Sequence, residues 1–282
     1  MLASALALAA CAGGTLQAAV AVAGGTPHAD FEGGLDGGWF GVNGDDGFGG
    51  GTWLEPTGGH PDGCLHTVFQ DFGIGYFNVT DPAWVCDWTE ASSVTVSIDI
   101  KVSSIAFFGT SVSRPWVLEL RDRDDATGGY PWNSVWIRLA TISAASHGEW
   151  TTISVTFDPR SAALPAGWRG SGAEDPVTFE PVLPAGVTFA QVLAGVDVVA
   201  FTTLEPGMFF GFTDHDVRVD NIRVERVQTA PGDLNADGAV NGIDLGIMLG
   251  AWGGGPGPAD LNLDGTVDGI DLGVLLGSWT VG

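Results

Sequence analysis

The feature that most constrains the fold of this chain is a 20-residue segment that occurs twice near its C-terminus. Residues 233 to 252 and residues 260 to 279 are identical at 14 of 20 positions and are offset by 27 residues. Each copy begins with acids or amides at alternate positions, continues with a glycine, and returns to an aspartate where an apolar run starts. This tandem duplication predicts two copies of one small unit that pack against each other.

The oxygen-bearing residues of each copy have the spacing of a short loop around one calcium ion. Calcium takes about six to eight oxygen ligands, the glycine at loop position 6 permits a sharp turn, and position 7 offers its backbone carbonyl. The predicted ligands are Asp233, Asn235, Asp237, Ala239, Asn241 and Asp244 in the first loop, and Asp260, Asn262, Asp264, Thr266, Asp268 and Asp271 in the second.

Two such loops in register, each followed by the sequence GIDLG and later by a tryptophan, resemble the dockerin domain. Loop position 12 is Asp rather than the usual Glu of EF-hand loops, and no helix is predicted before either loop. The resemblance implies an EF-hand-like, α-helical domain over residues 233 to 282 that holds two structural calcium ions and docks onto a cohesin-like protein of the cell surface. The recognition positions 10 and 11 of the family hold Gly242, Ile243, Gly269 and Ile270 here. The polar contacts of the family are therefore missing, and an apolar docking surface is the alternative.

One apolar face is expected on the helix that follows each loop. Leucines and a tryptophan recur there at helical spacing, and the two faces are expected to pack together. The residues are Leu245, Leu249 and Trp252 in the first copy, and Leu272, Leu276 and Trp279 in the second.

Residues 27 to 227 show the period of two that is typical of half-buried strands. The segment VTVSIDIKV places Val94, Val96, Ile98, Ile100 and Val102 on one face, and similar alternation recurs between turns rich in glycine and proline. The pattern predicts a mainly β domain, an antiparallel β-sandwich of the jelly-roll type. Residues 228 to 232 are interpreted as a linker to the dockerin-like domain.

The last strand contains a change of phase between Val219 and Ile222, which predicts a β-bulge near Asp220 and Asn221. Together with DFEGGLDGGW near the start, this ending resembles jelly-roll carbohydrate-binding modules, and residues 75 to 102 are similar to laminin domain IV. The first resemblance implies a third calcium ion in the sandwich, with Asp30, Glu32 and Asp220 as its candidate ligands.

The first 23 residues are small and apolar and are predicted to be a signal peptide. It would end by cleavage near Ala21 or Ala23, or at a lipoprotein-type LAAC box in which Cys11 is lipidated. Either alternative predicts a secreted or cell-surface protein. No later run reaches the roughly 18 apolar residues of a membrane-spanning helix, so no transmembrane segment is predicted. Cys64 and Cys86 are compatible with one disulfide in an oxidising compartment, and two buried thiols are the alternative.

The composition favours carbohydrate and calcium over nucleic acid. A formal net charge of -24 repels phosphates and anionic lipids. The 11 tryptophans suggest stacking on sugar rings, although packing at the rim of the sandwich is the alternative for those in turns. Trp116, Trp136 and Trp150 lie in predicted strands and are expected in the core. The candidate ligand-binding residues are Tyr130, Trp132, Trp53, Trp84, Trp88 and Trp168.

A calcium-binding, non-catalytic protein that binds polysaccharide or acts in adhesion is therefore the predicted function. The alternatives are a polysaccharide-active enzyme, either a glycoside hydrolase or a lyase, and a structural protein of the cell surface. Glycoside hydrolysis needs two carboxylates across a cleft, and no pair stands out by spacing, so no catalytic residue is predicted. The available carboxylates are Glu119, Asp122, Asp124, Asp125, Glu149 and Glu180.

Overall fold

The structure is a computed structural model that describes residues 26–42, 49–228, 230–235, 238–255, 257–262 and 264–280. The predicted signal peptide, Cys11 and the loop residue Asp237 lie outside these ranges. The chain divides into two compact units. The first runs to Glu225 but leaves out Glu90–Ser93, which belong with Arg226–Gly282 to the second.

Most of the first unit is built from short antiparallel strands, as predicted from the period of two. The strands are β1 His28–Ala29, β2 Trp39–Gly41, β3 Gly51–Glu55, β4 Cys64–Asp71, β5 Gly75–Asn78, β6 Ala91–Phe107, β7 Thr110–Ser111, β8 Arg114–Asp122, β9 Asn133–Ile142, β10 Thr151–Phe157, β11 Trp168–Ser171, β12 Ala173–Glu174, β13 Pro181–Val182, β14 Val198–Thr202 and β15 Thr213–Gln228. The helices are short: a 3-10 turn at Glu32–Gly34, α1 Ala144–His147, α2 Phe189–Ala194, α3 Gly242–Gly250 and α4 Gly269–Gly277.

The strands form two large sheets. In the seven-stranded sheet the order is β10-β6-β15-β4-β3, with β1 beside β15 and β7 beside β6. The six-stranded sheet has the order β11-β9-β8-β14-β5-β2, and β12 pairs with β13 in a separate ribbon. Paired strands run antiparallel in both sheets, as between β10 and β6 and between β8 and β9. This arrangement confirms the predicted antiparallel β-sandwich and is consistent with a jelly roll.

The core lies between the two sheets. All five apolar residues predicted to share one face of β6 are fully buried: Val94, Val96, Ile98, Ile100 and Val102. From the opposite sheet, Tyr76 donates a hydrogen bond from its hydroxyl to the carbonyl of Val217, over 3.2 Å. Buried aromatic side chains contact one another edge to face, as Trp39 and Trp84 do at 5.0 Å between ring centroids. Such packing excludes water from both inner faces and holds the sheets together.

The predicted change of phase in the last strand is present in β15. Val217, Val219, Ile222 and Val224 are all fully buried, although the spacing between the two pairs is odd. Asn221 has a φ of 49°, in the left-handed region, and this residue absorbs the extra step.

The second unit has a small core of its own. Five side chains are buried in it: Val240, Met248, Ala259, Val267 and Leu275. Leu245 and Leu272 pack against this core, as predicted. The prediction was wrong for Leu249, Trp252, Leu276 and Trp279, which are between 39% and 54% exposed.

The rotation of each helix explains this difference. Asp244 and Asp271 turn inward to accept backbone hydrogen bonds from their own loops, as described below. Because residues four apart share one face of a helix, Met248 and Leu275 are buried next to them. The leucines one position further along therefore face solvent.

In the described part of the chain, none of the helices combines the length and the apolar character that crossing a bilayer requires.

Candidate functional site

One row of residues in register crosses the six-stranded sheet from edge to edge. Residues on either side of this row in the same strands, such as Leu118, Leu120 and Phe201, are fully buried in the core. Because side chains alternate across a sheet, the row lies on the outer face. We call it the outer row; its members are Arg169, Trp136, Glu119, Ala200, Phe77 and Phe40.

Aromatic and charged side chains contact one another along the outer row. The Phe40 and Phe77 ring centroids are 5.8 Å apart. Arg121 follows Glu119 by two residues and therefore shares its face, and its guanidinium lies 5.8 Å from the Phe77 ring and 4.5 Å from the ring of Trp132. Arg121 also forms an ion pair with Glu119 at 2.7 Å. The outer face thus offers flat aromatic surfaces next to fixed hydrogen-bonding groups.

Three buried polar atoms of this face have no hydrogen-bond partner among the described residues. They are Nε1 of Trp136, Nε of Arg121 and Oγ of Ser134. Ser134 pairs in register with Arg121 and lies on the same side of the sheet. Buried polar groups in proteins are nearly always bonded to protein, water or ligand, so a polar ligand or ordered water is expected here.

One of the six predicted aromatic ligand residues, Trp132, lies beside the outer row, where it is half-buried against Arg121. Tyr130 contacts the separate β12–β13 ribbon instead, and its hydroxyl donates to Oε1 of Glu174 over 3.2 Å. Trp53 belongs instead to β3 of the other sheet, where its ring contacts His66. The predicted aromatic residues therefore do not form one binding surface.

The other three aromatic residues that were predicted to bind ligand are buried, so these predictions were wrong. Trp84, Trp88 and Trp168 are no more than 6% exposed. Nε1 of Trp88 donates to the carbonyl of Trp84 over 2.9 Å, and Trp168 packs edge to face on Phe189. Proline, glycine and charged neighbours suggested loop positions for these side chains, but large aromatic residues in turns also close the ends of a β-sandwich.

For Trp136, the sequence predicted burial correctly but predicted the wrong side of the sheet. It is buried, as predicted, but it lies on the outer face rather than between the sheets. Trp116 is fully buried in the core, and Trp150 is half-buried and stacks on His60 with ring centroids 6.0 Å apart.

A polar cavity of about 480 Å³ lies on the outer face of the seven-stranded sheet. It is lined by His60, Pro61, Ser97, Asp99, Thr152, Asn221 and Arg223. Nδ1 of His60 is 2.9 Å from Oδ2 of the buried Asp99. Sequence analysis did not identify this cavity, because its residues come from four separated segments of the chain.

The candidate ligands of the third calcium ion are only partly brought together. Asp220 is fully buried and accepts hydrogen bonds from the amides of His60 and Asn221. Glu32 accepts from the Gly63 amide at 3.2 Å, and its charge acts on Asp220. Burial, followed by the charges of Asp99 and Glu32, raises the pKa of Asp220 to about 6. Asp30 is half-exposed and accepts from the amide of Glu32.

Cys64 and Cys86 do not form the predicted disulfide. Cys64 is buried in β4 with its thiol 3.8 Å from Oε2 of Glu55, and burial raises the pKa of this thiol to about 12. Cys86 lies between β5 and β6, where its carbonyl accepts from the amide of Val196. The two cysteines therefore belong to different parts of the sandwich.

The carboxylates considered for catalysis lie in different surroundings. Glu119 is buried and ion-paired to Arg121. Asp122 follows Arg121 directly in β8, so its side chain points to the other side of the sheet. Burial raises the pKa of Asp122. Asp124, Asp125, Glu149 and Glu180 are exposed.

In the second unit, the two repeated loops have the same backbone hydrogen-bond pattern. The first-position aspartates Asp233 and Asp260 each accept from the amide of the position-6 glycine over 2.9 Å. Those glycines have φ angles of 88° and 92°, as a sharp turn requires. The twelfth-position aspartates, Asp244 and Asp271, accept amides from the start of their loops at 2.7 to 3.2 Å.

The ninth and twelfth loop positions also start each helix. Asn241 caps α3 and exchanges hydrogen bonds with Asp244, and Asp268 does the same for α4 with Asp271. Burial would raise the pKa of Asp244, but the backbone amides of Asn241, Asn235 and Leu234 outweigh burial and lower this pKa. The amide of Asp268 is the largest cause that lowers the pKa of Asp271.

Other predicted ligands remain at the loop surface. Asn262 donates to Oδ2 of Asp264 over 2.8 Å, and the amide of Thr266 donates to Oδ1 of the same residue. Nδ2 of Asn241 lies 3.4 Å from the carbonyl oxygen of Ala239, the position-7 residue. Within the described ranges, which leave out Asp237, no group of three or more His, Cys, Asp or Glu side chains is arranged to hold a metal ion.

The acids of this unit outnumber its one basic side chain, Arg226. Asp233, Asp244, Asp260 and Asp271 are at most 7% exposed. Residues 227 to 282 contain seven aspartates and no lysine, arginine or histidine. A buried carboxylate is costly unless it is paired, and the oxygen-rich set of donors suits a hard cation such as calcium.

The repeated helices leave matching apolar side chains in solvent. Ile243 and Ile270 are 60% and 58% exposed, and they occupy the eleventh loop position of the two copies. Leu249 and Leu276, and then Trp252 and Trp279, are exposed in both copies as well. We call these six residues the paired apolar surface.

Comparison with known proteins gives distant likenesses only. No protein-family model matches the chain. No curated protein matches it either. Among solved structures, an exo-beta-agarase is 16% identical with a TM-score of 0.42, over 72% of this chain and 25% of the agarase. This chain thus corresponds to about a quarter of that enzyme.

Two similar structures are single modules. The C-terminal family 22 carbohydrate binding module of Clostridium thermocellum Xyn10B is 9% identical with a TM-score of 0.39, over 71% of this chain and 92% of the module. The N-terminal cellulose-binding domain of Cellulomonas fimi beta-1,4-glucanase C is 12% identical with a TM-score of 0.33, over 68% of this chain and 90% of that domain. At TM-scores below 0.5, the function of this chain has to be argued from its own residues.

Proposed function

We propose that the β-sandwich is a polysaccharide-binding domain whose binding surface is the outer face of the six-stranded sheet. The observation that carries the proposal is the accessible part of this face, where the exposed ring of Phe40 and the half-buried rings of Phe77 and Trp132 lie near arginine side chains. Sugar rings stack on aromatic faces, and their hydroxyl groups supply hydrogen-bonding partners. In this proposal the protein is secreted or attached to a cell surface, as its N-terminal sequence predicts.

Removal of exposed aromatic rings from the outer face tests this function. We expect Phe40→Ala and Trp132→Ala to weaken binding of the full chain to insoluble or oligomeric polysaccharide by about tenfold or more. Phe108→Ala is the matched control, because Phe108 is 88% exposed on the turn between β6 and β7. If Trp53→Ala abolishes binding and the outer-face variants do not, the binding surface is on the other sheet.

Sugar release distinguishes this proposal from the enzymatic alternative. A non-catalytic domain retains polysaccharide without releasing reducing ends. Release of reducing ends that a single carboxylate substitution abolishes would instead identify a glycoside hydrolase or lyase.

We also propose that the second unit is a dockerin-like attachment module that binds two calcium ions. The four buried aspartates of the two loops support this proposal, and the ions would neutralise their charge and hold the loops closed. The first-position and twelfth-position aspartates, with the oxygen atoms between them, would hold the ions. Glu32 and Asp220 are proposed to hold a third ion in the sandwich.

The paired apolar surface is the proposed attachment site of this module. Its members occur in both copies of the repeat and remain exposed in both, which suits a cohesin-like protein with an apolar binding face. Binding of the full chain to a panel of cohesin domains, compared with an Ile243→Ser, Ile270→Ser variant, tests this proposal. Equal binding by the variant would contradict it.

A further inference from the structure

The outer face of the six-stranded sheet carries three of the 10 basic residues of the chain. Arg169 belongs to the outer row, and Arg121 and Arg138 follow row members by two residues in their strands. The chain as a whole has a formal net charge of -24. Three positive groups therefore lie on the surface that is proposed to bind polysaccharide.

Two of these arginines are neutralised within the protein. Arg121 pairs with Glu119, and Arg138 pairs with Glu205. Arg169 forms no ion pair with any described residue. Its guanidinium lies 5.8 Å from the ring centroid of Trp136, and the side chain is exposed. The outer face thus keeps one positive charge that no carboxylate of the described residues compensates.

The unpartnered polar atoms of the outer face are mostly hydrogen-bond donors, as is Arg169. Nε1 of Trp136 and Nε of Arg121 can only donate hydrogen bonds, and the guanidinium of Arg169 also only donates. A ligand that satisfies this set must be rich in acceptors. Carboxylate and sulfate groups have acceptors only, and a guanidinium binds them through two parallel hydrogen bonds.

We propose that the outer face binds a glycan whose sugars carry anionic groups, either uronate carboxylates or sulfate esters. Arg169 is the partner of the anion, because its guanidinium is the exposed donor of this set, whereas Nε1 of Trp136 and Nε of Arg121 are buried. This inference rests on the proposed polysaccharide-binding function and adds the class of ligand to it.

Calorimetric titration of the full chain with four oligosaccharides tests the inference. The neutral ligands are xylo-oligosaccharide and agaro-oligosaccharide, and the anionic ones are oligogalacturonate and a sulfated galactan oligosaccharide. We expect one anionic ligand to bind at least tenfold more tightly than both neutral ones. We also expect its affinity to fall as sodium chloride is raised from about 0.05 to 0.5 M, because salt screens charge pairs. The anionic ligand that binds more tightly identifies the group.

Substitution of Arg169 then locates the anion. R169Q is expected to reduce the affinity for the preferred anionic glycan about tenfold, and R169K to reduce it less, because an ammonium keeps the charge but loses the paired hydrogen bonds. R160Q is the matched control, since Arg160 is a partly exposed arginine paired with Asp158 in the loop after β10.

The possible outcomes separate this inference from the broader function. If neutral glycans bind as tightly as anionic ones, or if R169Q behaves like R160Q, the anionic ligand class is wrong while polysaccharide binding stands. If none of the four ligands binds, both proposals fail. Near-ultraviolet circular dichroism confirms that each variant is folded, and Arg169 is exposed, so its replacement removes no core packing.

Discussion

The β-sandwich and the C-terminal unit bury very different side chains. Between its two sheets the sandwich buries rows of valine, isoleucine and tryptophan, and its Tyr76 hydroxyl bridges the sheets. The C-terminal unit buries five apolar side chains and, close by, four aspartates. Apolar burial therefore accounts for the first fold. The second has a much smaller apolar core, and we propose that bound calcium neutralises its buried aspartates.

Removal of calcium is expected to have the largest effect and to separate the two regions. Chelation should abolish the cooperative thermal transition of the C-terminal unit, because its buried carboxylates would repel one another without the ions. The transition of the sandwich should remain. Differential scanning calorimetry of the full chain, with and without chelator, measures both transitions.

Addition of excess calcium is the control for this experiment and should restore the lost transition. Two transitions that chelation leaves unchanged would show that both regions are stabilised in the same way, contrary to the comparison above.

Substitutions on the two sides of α3 are expected to have the next largest effect. Met248→Ala should lower the free energy of unfolding of the C-terminal unit by about 2 to 5 kcal/mol, because it leaves a cavity in a small core. Leu249→Ala, one position on and 54% exposed, should cost less than about 1 kcal/mol. Urea unfolding in saturating calcium measures the difference.

The second copy of the repeat provides an independent test of the same point. Leu275→Ala should resemble Met248→Ala, and Leu276→Ala should resemble Leu249→Ala. If the exposed leucines prove more costly to replace than their buried neighbours, the helices are rotated differently from the description above.

The contribution of His215 to the stability of the sandwich is expected to be lost at a higher pH than the contributions of Asp244 and Asp271 to the C-terminal unit. Asp220, whose pKa burial raises to about 6, acts in the opposite direction, so the effect of His215 is measured as the difference between the wild type and a His215 variant. His215 is 2% exposed, its Nε2 has no partner among the described residues, and burial lowers its pKa to about 4 from 6.5. The unfolded chain binds this proton more tightly, so the free energy of unfolding falls as pH drops from about 6.5 to 4. The loss is on the order of 3 kcal/mol.

Acid also destabilises the C-terminal unit, but this happens in a lower range of pH. The pKa values of Asp244 and Asp271 are lowered from 3.8, so their contribution is lost only as pH falls below about 4. Urea unfolding of the sandwich between pH 4.5 and 7 should show a smaller slope for His215→Gln than for the wild type. Equal slopes would mean that His215 binds its proton equally tightly in the folded and unfolded chains, contrary to the lowered pKa.

Much of the fold could be predicted from local sequence, because alternation and loop spacing are local properties. The inward face of β6, the bulge at Asn221 and the glycines of the repeated loops were predicted in this way. The outer row could not be, because its members come from six strands and their register depends on the whole sheet. For the same reason Trp136 was expected between the sheets. Trp84 and Trp88 were expected at the surface for a different reason, because their sequence neighbours are typical of turns.

The errors in the helices and cysteines have local physical causes. The apolar pattern of α3 is compatible with two rotations, and the inward turn of Asp244 selects the one that buries Met248. Cys64 and Cys86 were paired only because they are the two cysteines outside the predicted signal peptide, and pairing by elimination carries no information on distance.

Calcium titration of the full chain tests the central claim most directly. Isothermal calorimetry of metal-free protein is predicted to show uptake of at least two calcium ions per chain. In an Asp244→Asn, Asp271→Asn variant, the tight uptake by the two repeated loops should be lost, while an Asp175→Asn control should bind as the wild type does. Absence of calcium uptake, or uptake that the double substitution leaves unchanged, would contradict the account.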